Sequence, residues 1–242
     1  MKSHFDATGD VLVVTGGANG IGAALARAYA EAGGSTCVLD IARTPGLAET
    51  AGLTHYEVDV SDRDAVFAAV DEVVARHGRI DGLVCSAAVQ PRRDVADMDP
   101  AEWRRTLAVN LDGVVWGCQA VLPRMIERRR GSILMFASGL AHMGRAQASA
   151  YAASKGAIVS FAKSLAAEVA PHRIRVNTVF PGVIDTPQFR AANPDGPERA
   201  HWAATTGIGT PEDVVGPLLF LLSDAATMTG STLTRDRSYP KE

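Results

Sequence analysis

Val11-Leu12-Val13-Val14-Thr15-Gly16-Gly17-Ala18-Asn19-Gly20-Ile21-Gly22 is the stretch on which the fold turns. A short β-branched run leads into a glycine-rich turn, and Ala24-Leu25-Ala26-Arg27-Ala28-Tyr29 follows with helix-forming composition and a stop at Gly33-Gly34. The order is strand, turn, helix. Glycines at this spacing permit a tight turn, let the backbone approach a pyrophosphate, and bring the helix close to the strand, with the positive end of the helix facing the anion. By themselves the same letters would also serve an ordinary loop that needs positive φ.

The alternation continues outward from that unit. Strands are expected at Thr36 to Leu39, His55 to Val58, Gly82 to Cys85, Ser132 to Ala137 and Arg175 to Phe180. Helices are expected at Asp62 to His77, Ala101 to Arg129 and Tyr151 to Ala170. Nearly all-apolar strands between amphipathic helices imply a parallel sheet covered on both faces, so the expectation is α/β: a doubly wound, Rossmann-like sheet in three layers. One domain spanning 1–242 is expected. Between Ile41 and Thr54, Pro45, Gly46 and Gly52 leave room only for a short or frayed crossover helix. From Pro181 to Pro211, five prolines break up the segment just after a strand's carboxyl end, which is where open α/β sheets bind ligands; residues 182–210 are therefore read as a substrate lid.

Bulk properties narrow the function. The chain has 242 residues, 47% of them hydrophobic, enough for a large core, and a net charge of -3 without a basic stripe, which excludes nucleic acid as the expected partner. Cys37, Cys85 and Cys118 show neither CxxC spacing nor an even count, and read as reduced thiols in a cytoplasmic protein. The first six residues lack the apolar run of a secretory signal and no stretch has the ~18 apolar residues of a membrane span, so no membrane association is expected. Arg128-Arg129-Arg130, with Arg124 one turn earlier, reads as a solvated helix end where cations meet the negative pole. No metal site is expected, since His142 has no partner at ligand spacing.

Two groups of residues carry chemistry. Asp40 follows the second strand about twenty residues after the last glycine, where a carboxylate accepts from both ribose hydroxyls and repels a 2′-phosphate; that favours NAD over NADP. Arg43, three residues on, is the cation that could meet a 2′-phosphate instead. Tyr151 and Lys155, four apart near the start of a helix, share one face. A phenol beside an ammonium becomes a usable acid and base because the positive charge favours the phenolate, though a pair at this spacing also arises on helix surfaces by chance.

Together TGxxxGxG at Thr15 to Gly22 and Tyr151-Ala152-Ala153-Ser154-Lys155 resemble the short-chain dehydrogenase/reductase family, and Ser138, thirteen positions before Tyr151, and Asn110 complete its Asn, Ser, Tyr, Lys set. The resemblance spans Val11 to Leu233. It implies hydride transfer between NAD(H) and a secondary alcohol or ketone. Tyr151 would move the proton, Ser138 would steady the substrate oxygen, Lys155 would reach the nicotinamide ribose, and Asn110 would hold a water linking Lys155 to solvent. It also assigns cofactor contacts to Gly16, Asn19, Gly20, Ile21, Gly22, Asp59, Val60 and Ala87. Pro181, Gly182, Ile184 and Thr186 would orient the nicotinamide carboxamide, and a homotetramer built on the long helices is implied. Asn19 stands where family members preferring NADP often carry a basic residue. Two departures stand out: Cys85-Ser86-Ala87-Ala88 replaces Asn-Asn-Ala-Gly, and Asp236-Arg237-Ser238 replaces Asp-Gly-Gly. Two further readings share the fold, namely a 3-oxoacyl thioester reductase using NADPH and a nucleotide-sensing protein without turnover. His142, Met143, Arg145, Gln147, Phe189 and Trp202 are the candidates to line the substrate pocket.

Overall fold

A computed structural model describes residues 5–43, 46 and 50–235. Seven parallel strands form one sheet: β1 (Val11–Thr15), β2 (Ser35–Asp40), β3 (Leu53–Glu57), β4 (Gly82–Cys85), β5 (Gly131–Phe136), β6 (Ile174–Phe180) and β7 (Thr232–Thr234), in the order β3-β2-β1-β4-β5-β6-β7. β1 explains why both faces are covered. Val11 and Val13 enter a core shared with α2 (Arg63–His77), α4 (Gly113–Arg128) and α5 (Ser149–Val169), while Leu12 and Val14 point the other way into a core with α1 (Gly20–Glu31) and α8 (Val215–Leu222). The three layers follow from that alternation. Every strand start expected from the sequence lies within two residues of the observed one, as do the helix starts except that of α1, which begins at Gly20 rather than at Ala24.

Two expectations need correction. The helix read as Ala101 to Arg129 is α3 (Pro100–Leu107), a π turn (Ala108–Asp112) and α4, so Asn110 sits in a local widening of the helix. The arginine run is no simple solvated helix end. α4 stops at Arg128; Arg129 takes a left-handed conformation (φ 53°) and donates to the Pro171 carbonyl, and Arg130 pairs with Asp10 at 3.0 Å and Asp224 at 3.1 Å. Asp10 and Asp81 also hold Arg79, so these charges tie the amino-terminal ends of β1, β4 and β5 together. The lid segment contains two short helices, α6 (Pro187–Ala192) and α7 (Pro197–Thr205), each opened by a proline at its first position. Asp236-Arg237-Ser238 and parts of the β2 to β3 link lie outside the described residues.

The strand order reverses between β1 and β4, leaving a crevice at their carboxyl ends. No helix among the described residues is long and apolar enough to cross a membrane, and no cluster of three or more His, Cys, Asp or Glu side chains among them could hold a metal ion.

Candidate active site

A cleft of about 540 Å³ opens at that crevice, within the ~300–1,000 Å³ span of small-molecule sites. Its floor is the glycine turn. Gly16 has φ 69°, and a β-carbon there would lie 2.4 Å from the Ala87 backbone nitrogen; one on Gly22 would lie 2.4 Å from the Gly16 carbonyl oxygen. The turn therefore closes on the loop after β4 and on its own helix with no room for side chains. Asn19, in extended backbone, makes no side-chain hydrogen bond to the helix, and no acidic residue sits in the first turn of α1. The helix presents uncapped N–H groups to the cleft beside Gly20 and Ile21, as a pyrophosphate requires.

Asp40 closes the next wall. Its Oδ2 accepts from Ala18 N and its Oδ1 from Ala42 N, both at 2.9 Å, so the carboxylate is fixed between the glycine turn and the loop after β2 with lone pairs remaining on each oxygen. Arg43 turns instead toward exposed Glu57, 3.7 Å away. Asp59 accepts from the backbone and hydroxyl of Ser61 and pairs with Arg105 at 3.0 Å; burial would raise its pKa, but these donors outweigh it and the group titrates below the usual carboxylate range. Val60 is buried against Gly113, at the first turn of α4. These residues form the cofactor-sized half of the cleft.

The other half gathers Ser138, Tyr151 and Lys155. Ser138 follows β5 and caps a 3₁₀ turn by accepting from Leu140 N at 3.2 Å. Tyr151 and Lys155, on the first turns of α5, are 8% and 3% exposed, and the lysine nitrogen lies 5.6 Å from the tyrosine ring centre while donating to the Phe136 carbonyl at 2.7 Å. Burial pushes the phenol up to about 12, against the opposing pull of Ser138 and Gln188. The same burial pushes Lys155 down to about 8, with the Cys85 thiol opposing. The sequence reading expected the ammonium to lower the phenol; with the lysine proton directed at Phe136, desolvation prevails.

Asn110 acts as a clamp. Its Oδ1 accepts from Val89 N at 2.8 Å, and its Nδ2 donates to Val89 O at 2.9 Å and to Ser154 Oγ at 3.0 Å. Ser154 in turn donates to the Tyr151 carbonyl at 2.7 Å, so the π turn, the loop after β4 and the start of α5 are fixed together. Both amide protons are thus engaged with protein. Across the cleft, Gly182 (φ 78°) packs against the Arg235 backbone. Asp185 N donates to Gly209 O and Gly209 N donates to Val183 O, an arrangement that leaves the N–H and C=O of Ile184 on the opposite side. Pro181 and Ile184 line the cleft, as does Thr186, whose hydroxyl oxygen accepts from Phe189 N and keeps its proton free.

Gln188, Ser154, Val89 and the Phe136 carbonyl were not singled out from sequence. The last two act through backbone, which the letters do not encode, and Gln188 is one polar residue among several in the lid. Cys85 and Cys118, both buried, face each other as thiols where the departure from Asn leaves a smaller side chain.

A family model described as "Enoyl-(Acyl carrier protein) reductase" matches residues 16–239. D-threitol dehydrogenase of Mycolicibacterium smegmatis is 38% identical over 97% of this chain and 94% of its own length. A 3-oxoacyl-[acyl-carrier-protein] reductase of Chlamydia pneumoniae is 34% identical over 94% and 96%. Among solved structures, the aldohexose dehydrogenase of Thermoplasma acidophilum superposes with a TM-score of 0.88 at 33% identity, covering 99% of this chain and all of that one. The chain belongs to the short-chain dehydrogenase/reductase family.

Proposed function

We propose that this protein is an NAD-dependent oxidoreductase that interconverts a secondary alcohol and its ketone, with Tyr151 as the general acid and base. The observation that carries the reading is the buried Tyr151–Lys155 pair opposite Ser138 in a cleft whose other half is a side-chain-free glycine cradle. When bound, oxidised nicotinamide would supply the hydride acceptor and a positive charge at the site. Gly16, Asn19, Gly20, Ile21 and Gly22 would hold the pyrophosphate, Asp40 the adenosine ribose, and Asp59, Val60 and Ala87 the adenine side. Pro181, Gly182, the Ile184 backbone and the Thr186 hydroxyl would orient the carboxamide. Tyr151 takes the proton from the alcohol as Ser138 donates to the carbinol oxygen and stabilises its growing negative charge. Lys155 holds its ammonium against the Phe136 carbonyl beside the phenol. Asn110 keeps the first turn of α5 in register, and both of its amide protons are spent on Val89 and Ser154 rather than on a water linking Lys155 to solvent. Residues 182–210 close over the substrate.

The test is a titration with NAD and NADP followed by a panel of secondary alcohols read by the absorbance of reduced nicotinamide. NAD-linked oxidation of at least one alcohol is the expected result. Binding of either cofactor without turnover of any alcohol or ketone would leave the nucleotide-sensing reading in its place. The cofactor choice rests on Asp40 and on Arg43 turning toward Glu57. Asp40→Asn removes the charge and keeps only one of the two acceptors that now serve Ala18 N and Ala42 N, and is expected to shift the NAD-to-NADP affinity ratio toward NADP by about 10- to 100-fold. Wild-type preference for NADPH would favour the 3-oxoacyl thioester reduction that the Chlamydia relative's name describes. The reading includes a cytoplasmic homotetramer, with a dimer as the alternative, assembled through the helices from Ala101 (α3 and α4) and from Tyr151 (α5); a monomer by light scattering would overturn the assembly.

A further inference from the structure

We propose that the substrate end of the cleft takes a secondary alcohol that also carries a carboxylate, recognised by Arg145 together with Trp202. This rests on the alcohol oxidation assigned to Tyr151, and it names the class of alcohol.

Arg145 stands between Ser138 and the start of α5, and its side chain, 13% exposed, lines the cleft with Trp202 of α7. The guanidinium carbon is 5.8 Å from the Trp202 ring centre. Its Nη2 donates to Asn193 Oδ1 at 2.5 Å and to Glu198. Its Nε and the indole Nε1 of Trp202 are both buried and have no acceptor among the described residues. Two neighbouring donors in a ligand cleft thus lack partners, and such donors are costly to leave unpaired.

The charge points the same way. Glu198 is shared, since its second oxygen lies 3.6 Å from Arg92 Nη1, so one carboxylate faces two guanidiniums and the cluster keeps one positive charge in excess. The other lid acids have their own arginines: Asp185 pairs with Arg190 and Arg199, and Asp195 with Arg199. Elsewhere on the cleft wall Lys155 donates to Phe136 and Arg235 faces Asp213 at 3.7 Å. A carboxylate is acceptor-only and anionic, so it satisfies both donors and the surplus charge. A neutral polyol would satisfy the donors and leave the charge. Oxidation removes a hydride and a proton at the carbinol, as already described, and leaves the carboxylate unchanged; the product is an oxo acid.

The experiment compares 3-hydroxybutyrate, 4-hydroxypentanoate and 5-hydroxyhexanoate, each with its methyl ester, in kcat/KM. At least one acid is expected to exceed its ester by about tenfold or more, chiefly through KM. Arg145→Gln should reduce that acid-to-ester ratio by about 10- to 100-fold, and Arg145→Lys should restore part of it. Glu198→Gln, which loosens the lid contact but keeps Arg145, should preserve or raise the ratio. Esters matching acids at every spacer length, or a ratio unchanged by Arg145→Gln, would overturn the proposal while leaving alcohol oxidation intact. A readout independent of turnover is quenching of tryptophan fluorescence by butyrate, pentanoate and hexanoate in wild type and Arg145→Gln. Carboxylates that bind through Arg145 with no alcohol oxidised would sink the assigned reaction and keep the site; carboxylates that fail to bind would sink the site.

Discussion

Tyr151→Phe is expected to lower kcat for alcohol oxidation by roughly 10³- to 10⁴-fold while NAD affinity stays within about twofold of wild type. The ring is buried at the mouth of α5 and phenylalanine fills the same space, so the change removes one hydroxyl and little packing. Ser138 can still donate to the carbinol oxygen, but no group remains to take its proton: Lys155 is directed at the Phe136 carbonyl, and Ser138 is itself a weak base. Loss in kcat with KM almost unchanged is the signature of a group that acts on the transition state. The pH dependence supplies a second readout. Because burial raises the phenol to about 12, oxidation, which needs phenolate, should climb as pH rises through the neutral range, whereas ketone reduction, which needs the protonated phenol, should stay flat in that step. A positive charge supplied by bound oxidised nicotinamide would lower the onset and leave the direction of the slope unchanged. Stopped-flow absorbance at several pH values in both proteins reads both effects. Residual oxidation above about a tenth of wild type would assign the proton transfer to another group.

Much of this is legible in the amino-acid sequence. β1, the glycine turn and α1 were legible because hydrophobic alternation, positive-φ glycines and a helix start are local, and Tyr151 with Lys155 because four residues on a helix fix a shared face. The limits were physical. The π turn at Ala108–Asp112 changes the hydrogen-bond register without changing the apolar pattern, so a long helix interrupted at Asn110 is what the letters allow, and the form of the interruption is not legible in them. Arg130 lay beyond the helix end in a charge cluster whose partners, Asp10 and Asp224, are distant in sequence. The pairing of Arg145 with Glu198 spans 53 positions and depends on how the lid lies over the cleft. The direction of the Tyr151 shift was missed because it follows from the depth of burial, and composition does not report depth.

Lys155 provides the sharpest link between stability and function. Its pKa falls from 10.5 to about 8 because the ammonium is buried, an effect the Cys85 thiol only partly offsets. In the unfolded chain the lysine keeps its ordinary value, so between pH 8 and 10.5 the unfolded state binds more protons than the folded one, and stability rises with pH across that window. Above about 10.5 both states are neutral at this position and the penalty vanishes. Below about 8 both are charged and the penalty is complete, near 3 kcal/mol at about 1.4 kcal/mol per pH unit. A Lys155→Met variant has no such group. The difference in unfolding free energy, wild type minus variant, should therefore be flat from pH 6 to 8 and then rise by about 3 kcal/mol toward pH 10.5, whatever offset the lost hydrogen bond to Phe136 adds at every pH. Urea denaturation of both proteins at half-unit intervals measures it. A flat difference throughout would mean that Lys155 keeps its ordinary pKa and that the ammonium is solvated. A rise across the window would show that the fold tolerates a charge it does not solvate, at the one position where the proposed chemistry needs a proton held beside Tyr151.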